Sequence, residues 1–316
     1  MSKYLLGRLL QLPITLLGLF TVIFIILRAM PGDPVAAYLG AGATVETLND
    51  MRHKFGLDAP LYAQYAHDLL GFLNADLGRS FQTNRRVTDE IMAVLPSTVV
   101  LAGLALVVSS VFGVAAGVVA ALRAHRFTDY FVMTLSVVWI SIPAFWLALM
   151  LILVFSYQLD LFPVTGVSVQ ASWLSQLHGL VLPVVSLSLL FLALVARMTR
   201  SSMADILHSD FILTVRAKGA PERLIVMKHA LRNAMLPVVT VIGLNTGLLF
   251  SGAVLTETVF ARPGIGRLLV DSVVANDYPL VQGIILLIGA FYVVINLVVD
   301  LAYAYLDPRI KYGATA

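Results

Sequence analysis

Residues 98–122 read TVVLAGLALVVSSVFGVAAGVVAAL, twenty-five positions without one charged side chain. As a helix rising 1.5 Å per residue this stretch is about 37 Å long, more than the roughly 30 Å of a bilayer's hydrocarbon layer. It is not an isolated run. Similar apolar stretches extend from about Leu9 to Leu27, Tyr130 to Phe155, Leu180 to Ala196, Met235 to Leu255 and Val281 to Leu306. Six spans are therefore expected, and the fold class is all-α: a polytopic membrane helix bundle.

Composition agrees. Hydrophobic residues make up 59% of the 316 positions and charged residues 12%, against about 25% charged in a soluble chain. So little charge cannot cover an aqueous surface. The chain has no cysteine, which excludes disulfides, thiolate metal sites and cysteine nucleophiles. Pro13, Pro143, Pro183, Gly113, Gly117, Gly243, Gly247 and Gly289 fall inside spans. Membrane helices tolerate such residues, and small side chains let helices approach closely. Lys3 and Arg8 before the first apolar run resemble a signal peptide's start, but the run is too long for one, so a retained helix is expected.

The basic residues set the expected orientation. With the N-terminus inside, 13 of the 21 Lys and Arg fall on inner segments, only Arg262 and Arg267 on short outer ones, and six in the long first loop. Long loops translocate largely regardless of charge, so the comparison is thirteen against two. Both termini are expected in the cytoplasm of a bacterial inner-membrane protein. The parts are then an N-terminal spanning helix (1–30), an extracytoplasmic helical loop (31–96), a five-helix core (97–306) carrying a cytoplasmic loop (199–234), and a tail (307–316).

Two loops carry further signal. In the outer one, Phe55-Gly56-Leu57-Asp58-Ala59-Pro60 suggests a helix ending at Gly and another beginning near Pro60. Tyr62, Tyr65, Leu69 and Phe72 then follow at helical spacing. The spacing fits either a cap on the bundle or a docking surface. In the inner loop, seven basic residues counted from Arg197 mix with Asp205, Asp210 and Glu222. Ile206, Phe211, Ile212 and Val215 give an apolar face, and the corner Lys218-Gly219-Ala220-Pro221-Glu222-Arg223 combines a helix stop with a helix start. A short helix over about Glu222 to His229 is expected, anchored by Leu224, Ile225 and Met227. Such a helix–turn–helix suits a groove on another protein, or else a basic loop lying on anionic headgroups.

Polar residues inside the spans are few: Asn245, Asn296 and Asp300 are candidates for a pore lining or for bridges between helices. Ion-coupled carriers need intramembrane ionisable groups, and Asp300 is the clearest one here, so a secondary transporter is the rival class. No catalytic or metal-ligating residues are expected: the six histidines are scattered, without H-E-x-x-H.

The ordered set Arg197-Met198-Thr199-Arg200-Ser201-Ser202-Met203, Arg216-Ala217-Lys218-Gly219 and His229-Ala230-Leu231-Arg232-Asn233-Ala234-Met235-Leu236-Pro237 resembles the dipeptide/oligopeptide ABC-importer permease family. The resemblance continues through Pro31-Gly32-Asp33-Pro34, Asp76-Leu77-Gly78, Thr256-Glu257-Thr258-Val259-Phe260, Pro263-Gly264-Ile265-Gly266, Asp277-Tyr278-Pro279 and Asp307-Pro308-Arg309. It is closest to the subunit type with a long first periplasmic loop, and it implies a type I ABC importer permease fold. It also implies that the inner loop is the ATPase-coupling EAA loop, here Arg216, Ala217, Lys218, Gly219, Ala220, Pro221, Glu222, Arg223 and Leu224. His229 and Arg232 replace the apolar residue and Pro of the general pattern, and Leu213-Thr214-Val215 replaces Glu-Ala-Ala.

The implied partners are a second homologous permease subunit, two ABC ATPase subunits or domains, an extracytoplasmic substrate-binding protein and membrane lipid, with no nucleic acid. The chain has no G-x-x-x-x-G-K-[ST] run, so ATP and Mg are expected in the partners and no cofactor in this chain. The family handles dipeptides, longer peptides, glutathione and nickel complexes. The expected function is half of an ATP-driven translocation path for di- or oligopeptides, with nickel complexes or glutathione as the alternative solutes within the family. Gly219→Asp or Gly219→Val is expected to abolish uptake while leaving the protein inserted.

Overall fold

The computed structural model describes residues 2–29, 32–39, 43–164 and 172–306, and their side chains except at 2–12, 37 and 299–306. The tail expected at 307–316 lies outside the described residues, as does the side chain of Asp300. Among the described residues there are thirteen α-helical and two π-helical segments and no strand beyond one isolated bridge between Arg79 and Arg86. They divide into two compact units. One holds residues 1–98 with 263–294, the other 99–262 with 295–316.

The spans differ in part from the six expected. Helices α5 (Val87–Leu122), α8 (Trp173–Leu207), the continuous run Glu222–Val259 and α13 (Tyr278–Leu306) are each long and apolar enough to cross a membrane. The stretch expected as one span from Tyr130 to Phe155 is instead broken. α6 (Phe127–Ser141) meets α7 (Ala144–Leu151, continued π-helically over Ile152–Gln158) at an angle of 103°. Pro143 is the cause: it forces Ile142 into extended backbone (φ −86°, ψ 127°) and removes a helix donor. α1 (Ser2–Ala29) is 28 residues long, and its described apolar portion covers Pro13–Ala29.

In the first unit, Phe20, Ile23, Phe24 and Leu27 form the buried face of α1 at i, i+3, i+4, i+7 spacing. Phe20, Ile23 and Leu27 join a core with Tyr65, Leu69 and Phe72 of α4 (Leu61–Leu73) and Tyr278, Val281 and Leu286 of α13. Three of the four residues read at helical spacing thus pack inward, while Tyr62 points away and is 78% exposed. Between α3 (Val45–Lys54) and α4 the chain turns at Gly56 (φ +66°), and Pro60 caps α4, as the sequence suggested.

A buried carboxylate fixes the corner ahead of α5. Asp277 is 1% exposed and accepts from the Ser80 hydroxyl and from the backbone N–H of Phe81 (3.1 Å), Gln82 (3.3 Å) and Leu280 (3.4 Å). Each charge-assisted bond contributes about 1.5–3 kcal/mol and is lost piecemeal when one oxygen becomes a donor. Asp277→Asn is therefore expected to destabilise this unit by about 2 kcal/mol, read as earlier proteolysis near residues 79–86 with the rest of the chain unaltered.

The second unit is organised on α8. Its Leu180, Val184, Leu187 and Phe191 pack against Leu101 and Ala105 of α5 and against Leu249 and Ala253 of α11 (Leu231–Val259). The sequence puts Gly113 and Gly117 four apart, and the structure shows what they permit. A Cβ on Gly117 would lie 2.5 Å from Thr199 Cβ and 2.6 Å from the Ala196 carbonyl oxygen. One on Gly113 would lie 2.8 Å from Val195 Cβ and 3.0 Å from the Leu192 oxygen. The two helices meet backbone to backbone along this stripe.

Candidate functional site

The charged inner loop begins where α8 ends, at His208. α9 (Asp210–Ala217) follows, preceded by extended Ser209. Ile212 is fully buried with Ala121, Met203, Ile225, Val226, Ala230 and Ala234, and Ile206 and Val215 pack against them. These residues root the loop in the bundle. Phe211, Leu213, Leu224 and Met227 face outward instead, Met227 being 58% exposed. Of the apolar face expected from the sequence, Ile206, Ile212 and Val215 turn inward and Phe211 outward; of the three expected anchors only Ile225 is buried, Leu224 and Met227 being exposed.

The corner between the helices is built from three local devices. Gly219 has φ +79°, a left-handed conformation that side chains with a Cβ resist, and its N–H donates to the Arg216 carbonyl (3.0 Å). Pro221 (φ −67°, ψ 144°) caps the next helix, its carbonyl accepting from Leu224 (2.9 Å) and Ile225 (3.1 Å). Arg216 then closes the corner with a two-pronged contact to Glu222, Nη2 to Oε1 at 2.7 Å and Nε to Oε2 at 3.3 Å.

That hydrogen-bonded pairing holds the Glu222 carboxyl below the usual carboxylate range and raises the Arg216 guanidinium. A depressed folded pKa contributes stability above the unfolded value and loses it as pH falls through the folded one. The clamp therefore persists at neutral pH and opens only in acid. Both partners are solvent-exposed, so the contact aligns the corner more than it stabilises the fold.

The helix after the corner differs from expectation. It does not stop near His229. α10 (Glu222–Leu224) passes through a π-helical turn over Ile225–Ala230 directly into α11, giving one 38-residue helix from Glu222 to Val259. The sequence explains the continuity, since no Gly or Pro stands between Pro221 and Pro237. The exposed corner is thus the end of a membrane-spanning helix. His229 contributes an aromatic contact with Phe211, ring centroids 5.9 Å apart and nearly perpendicular.

A second constellation beside the loop was missed in the sequence. Arg200 of α8 grips Asp129 at the start of α6, Nε to Oδ1 at 3.1 Å and Nη2 to Oδ2 at 2.7 Å, and Asp129 also accepts from the His125 N–H at 3.0 Å. Asp129 is 3% exposed. The available signal was an acidic residue in the first turn of a helix, but its partner lies 71 positions away. Arg200→Lys keeps the charge and loses the fork. We expect a cost of about 1 kcal/mol, measurable as a lower melting temperature with unaltered membrane insertion.

Of the polar candidates within the spans, Asn245 donates to the Val241 carbonyl one turn back on its own helix (2.6 Å), so its amide NH₂ serves its own helix. Asn296 is half-buried, and the side chain of Asp300 lies outside the described residues. The structure brings Arg216 through Leu224 together at one corner and leaves Asn245 and Asn296 apart from it. Among the described residues there is no group of three or more His, Cys, Asp and Glu placed to hold a metal.

A helical membrane bundle with an ordered, charged loop rooted in its spans is the arrangement expected of an importer permease. Residues 113–312 match the family described as the binding-protein-dependent transport system inner membrane component, and residues 1–102 match that family's N-terminal component. The chain belongs to this family and is a permease subunit of an ABC importer.

It is 40% identical to the dipeptide transport system permease protein DppB of Alkalihalophilus pseudofirmus, with 99% of this chain and 100% of that protein covered. It is 42% identical to the glutathione transport system permease protein GsiC of an Escherichia coli strain, with the same coverage. A solved MetNI methionine ABC transporter, in inward-facing conformations, shares the fold at a TM-score of 0.50 with 20% identity, covering 68% of this chain and 97% of that one.

Proposed function

We propose that this chain forms half of an inner-membrane path for di- and oligopeptides and that its 216–224 corner is the seat of a partner ATPase. The observation that carries the reading is the bare apolar set Phe211, Leu213, Leu224 and Met227 around a corner fixed by Gly219, Pro221 and the Arg216–Glu222 contact. Exposed apolar side chains on a rigid, charged projection fit a groove on a soluble partner. They would gain little from bulk water.

Since the corner continues into the spanning helix Glu222–Val259, a partner that pulls on it moves that helix as a body. The fully buried Ile212 and Ile225 prevent the corner from hinging freely. Two ATPases drawing together on ATP would shift the helix ends, and a second permease subunit would complete the path. ATP and Mg would be bound by those partners, and a separate binding protein would deliver solute from outside. Both termini lie in the cytoplasm in this reading, which the distribution of Lys and Arg supports.

Di- and oligopeptides are the solute class favoured by the full-length similarity to the dipeptide permease; glutathione, itself a short peptide, is the second reading, favoured by the equally complete similarity to GsiC. Co-purification from native membranes tests the assembly: a second permease and one or two ATPases are expected by mass. Recovery of this chain alone, in a detergent that preserves complexes, would favour a self-sufficient carrier and Asp300. Uptake of a labelled dipeptide that excess glutathione fails to reduce would separate the two solutes.

A further inference from the structure

We propose that the π-helical turn Ile225–Ala230 positions the ATPase seat. Its one extra residue fixes the angle about the helix axis at which the 216–224 corner faces a partner. The inference rests on the reading of that corner as the seat of an ATPase.

The turn closes with a bond from the Leu231 N–H to the Val226 carbonyl, five residues back, where an α-helix bonds four back. It therefore holds one residue more than the α-helical turns around it. Such turns are rare, occur mostly singly inside longer α-helices, and are frequent at functional sites. This one stands between the corner and the spanning part of the same helix.

The buried positions show what the extra residue does. Ala230, Ala234 and Val238 are buried at a spacing of four and mark the inner face of α11. At about 100° per residue, an unbroken α-helix would put Met227 within about 20° of Ala234, on that inner face. It would put Ile225 about 180° away, on the outside. The structure has the reverse. Met227 is exposed, and Ile225 is fully buried in the cluster that holds Ala230, Ala234, Ile212 and Met203.

The π turn accounts for the exchange. Its extra residue slips the register upstream by about 100°, so that Ile225, Val226, Ala230 and Ala234 share an arc of about 100°, the width of an ordinary core-facing stripe. The same slip carries Leu224 to the side opposite Ala234. One residue thus decides that Ile225 roots the corner while Leu224 and Met227 stay bare for a partner.

Two measurements test the proposal. The chain has no cysteine of its own, so single cysteines report the phase directly. In membranes holding the full chain without ATPases, Ile225→Cys is expected to react with a soluble maleimide at least tenfold more slowly than Met227→Cys. Equal rates, or a faster Ile225→Cys, would overturn the proposal.

In the assembled transporter, deleting the exposed Lys228 is expected to lower uptake at least tenfold. Lys228→Ala, which keeps the residue count, is expected to stay within twofold of wild type. One alanine inserted after Leu231 in the deletion variant restores the count and is expected to recover at least a third of the uptake. Wild-type uptake by the deletion variant would overturn the proposal. So would a compensated chain that is inserted and bound to ATPases yet inactive. A wild-type chain that recovers no ATPase would defeat the reading of the corner instead, and the maleimide rates would then judge the turn alone.

Discussion

Gly117→Leu is expected to remove the folded protein from the membrane almost completely. The first atom of any side chain there would overlap the Ala196 carbonyl oxygen at 2.6 Å and Thr199 Cβ at 2.5 Å. Neither can rotate aside, because both are fixed to the backbone of the central helix α8. Overpacking against mobile side chains costs about 1–3 kcal/mol, and here the helices themselves must separate. That separation would also disturb the cluster rooting the inner loop, since Ala121 lies one turn further along α5. Gly103 on the same helix is the control. A Cβ there meets nothing within 4 Å, so Gly103→Leu is expected to stay within about 0.5 kcal/mol of wild type. Membrane abundance and thermal melting of the two variants check the contrast.

Gly219→Val is expected to leave the protein inserted and folded but to abolish uptake, with ATP hydrolysis no longer responding to the binding protein. Space is not the reason, because nothing lies within 4 Å of a Cβ at this position. The backbone is. At φ +79° a β-branched residue is a steric outlier, and leaving the left-handed region relieves about 1–2 kcal/mol of strain. The corner would then open, and the Arg216–Glu222 contact with it. Asn tolerates this conformation, so Gly219→Asn is expected to retain much of the uptake. Asp tolerates it too, so the loss expected from the sequence for Gly219→Asp does not follow from this geometry, and valine is the sharper test. Parallel assays of uptake and ATPase activity in reconstituted vesicles would read the difference. Equal loss in the Gly219→Val and Gly219→Asn variants would point to a side-chain clash with a partner instead.

What was legible in the sequence follows from how local its cause is. Apolar runs exceed the bilayer thickness by composition alone, so the helical class and most spans could be read directly. The Gly219–Pro221 corner was legible because its conformation is set by the residues that form it. The bend at Pro143 was underread: proline is tolerated in membrane helices, and whether it merely kinks one or breaks it depends on neighbours. The inner helix was drawn too short because composition changes at the membrane boundary near Met235, whereas helical hydrogen bonding continues through Ile225–Ala230. The structural roles of Asp129 and Asp277 escaped notice for a different reason. Their partners, Arg200 and residues 80–82, are 71 and about two hundred positions away, and no short-range pattern announces such pairs. Nor could the sequence divide Phe211 from Ile212, adjacent residues of which one is exposed and the other a core anchor.

The absence of cysteine from the chain makes the central claim directly measurable. A single cysteine at Met227, and separately at Val274, which is 78% exposed at the end of α12 (Ile265–Val274), would carry a photoactivatable cross-linker in the assembled transporter. The coupling account predicts that the label at position 227 joins this chain to an ATPase subunit, with a yield that changes on adding ATP, while the label at 274 never does. An ATPase adduct from position 274, or none from position 227 in an assembly that hydrolyses ATP and imports solute, would contradict it.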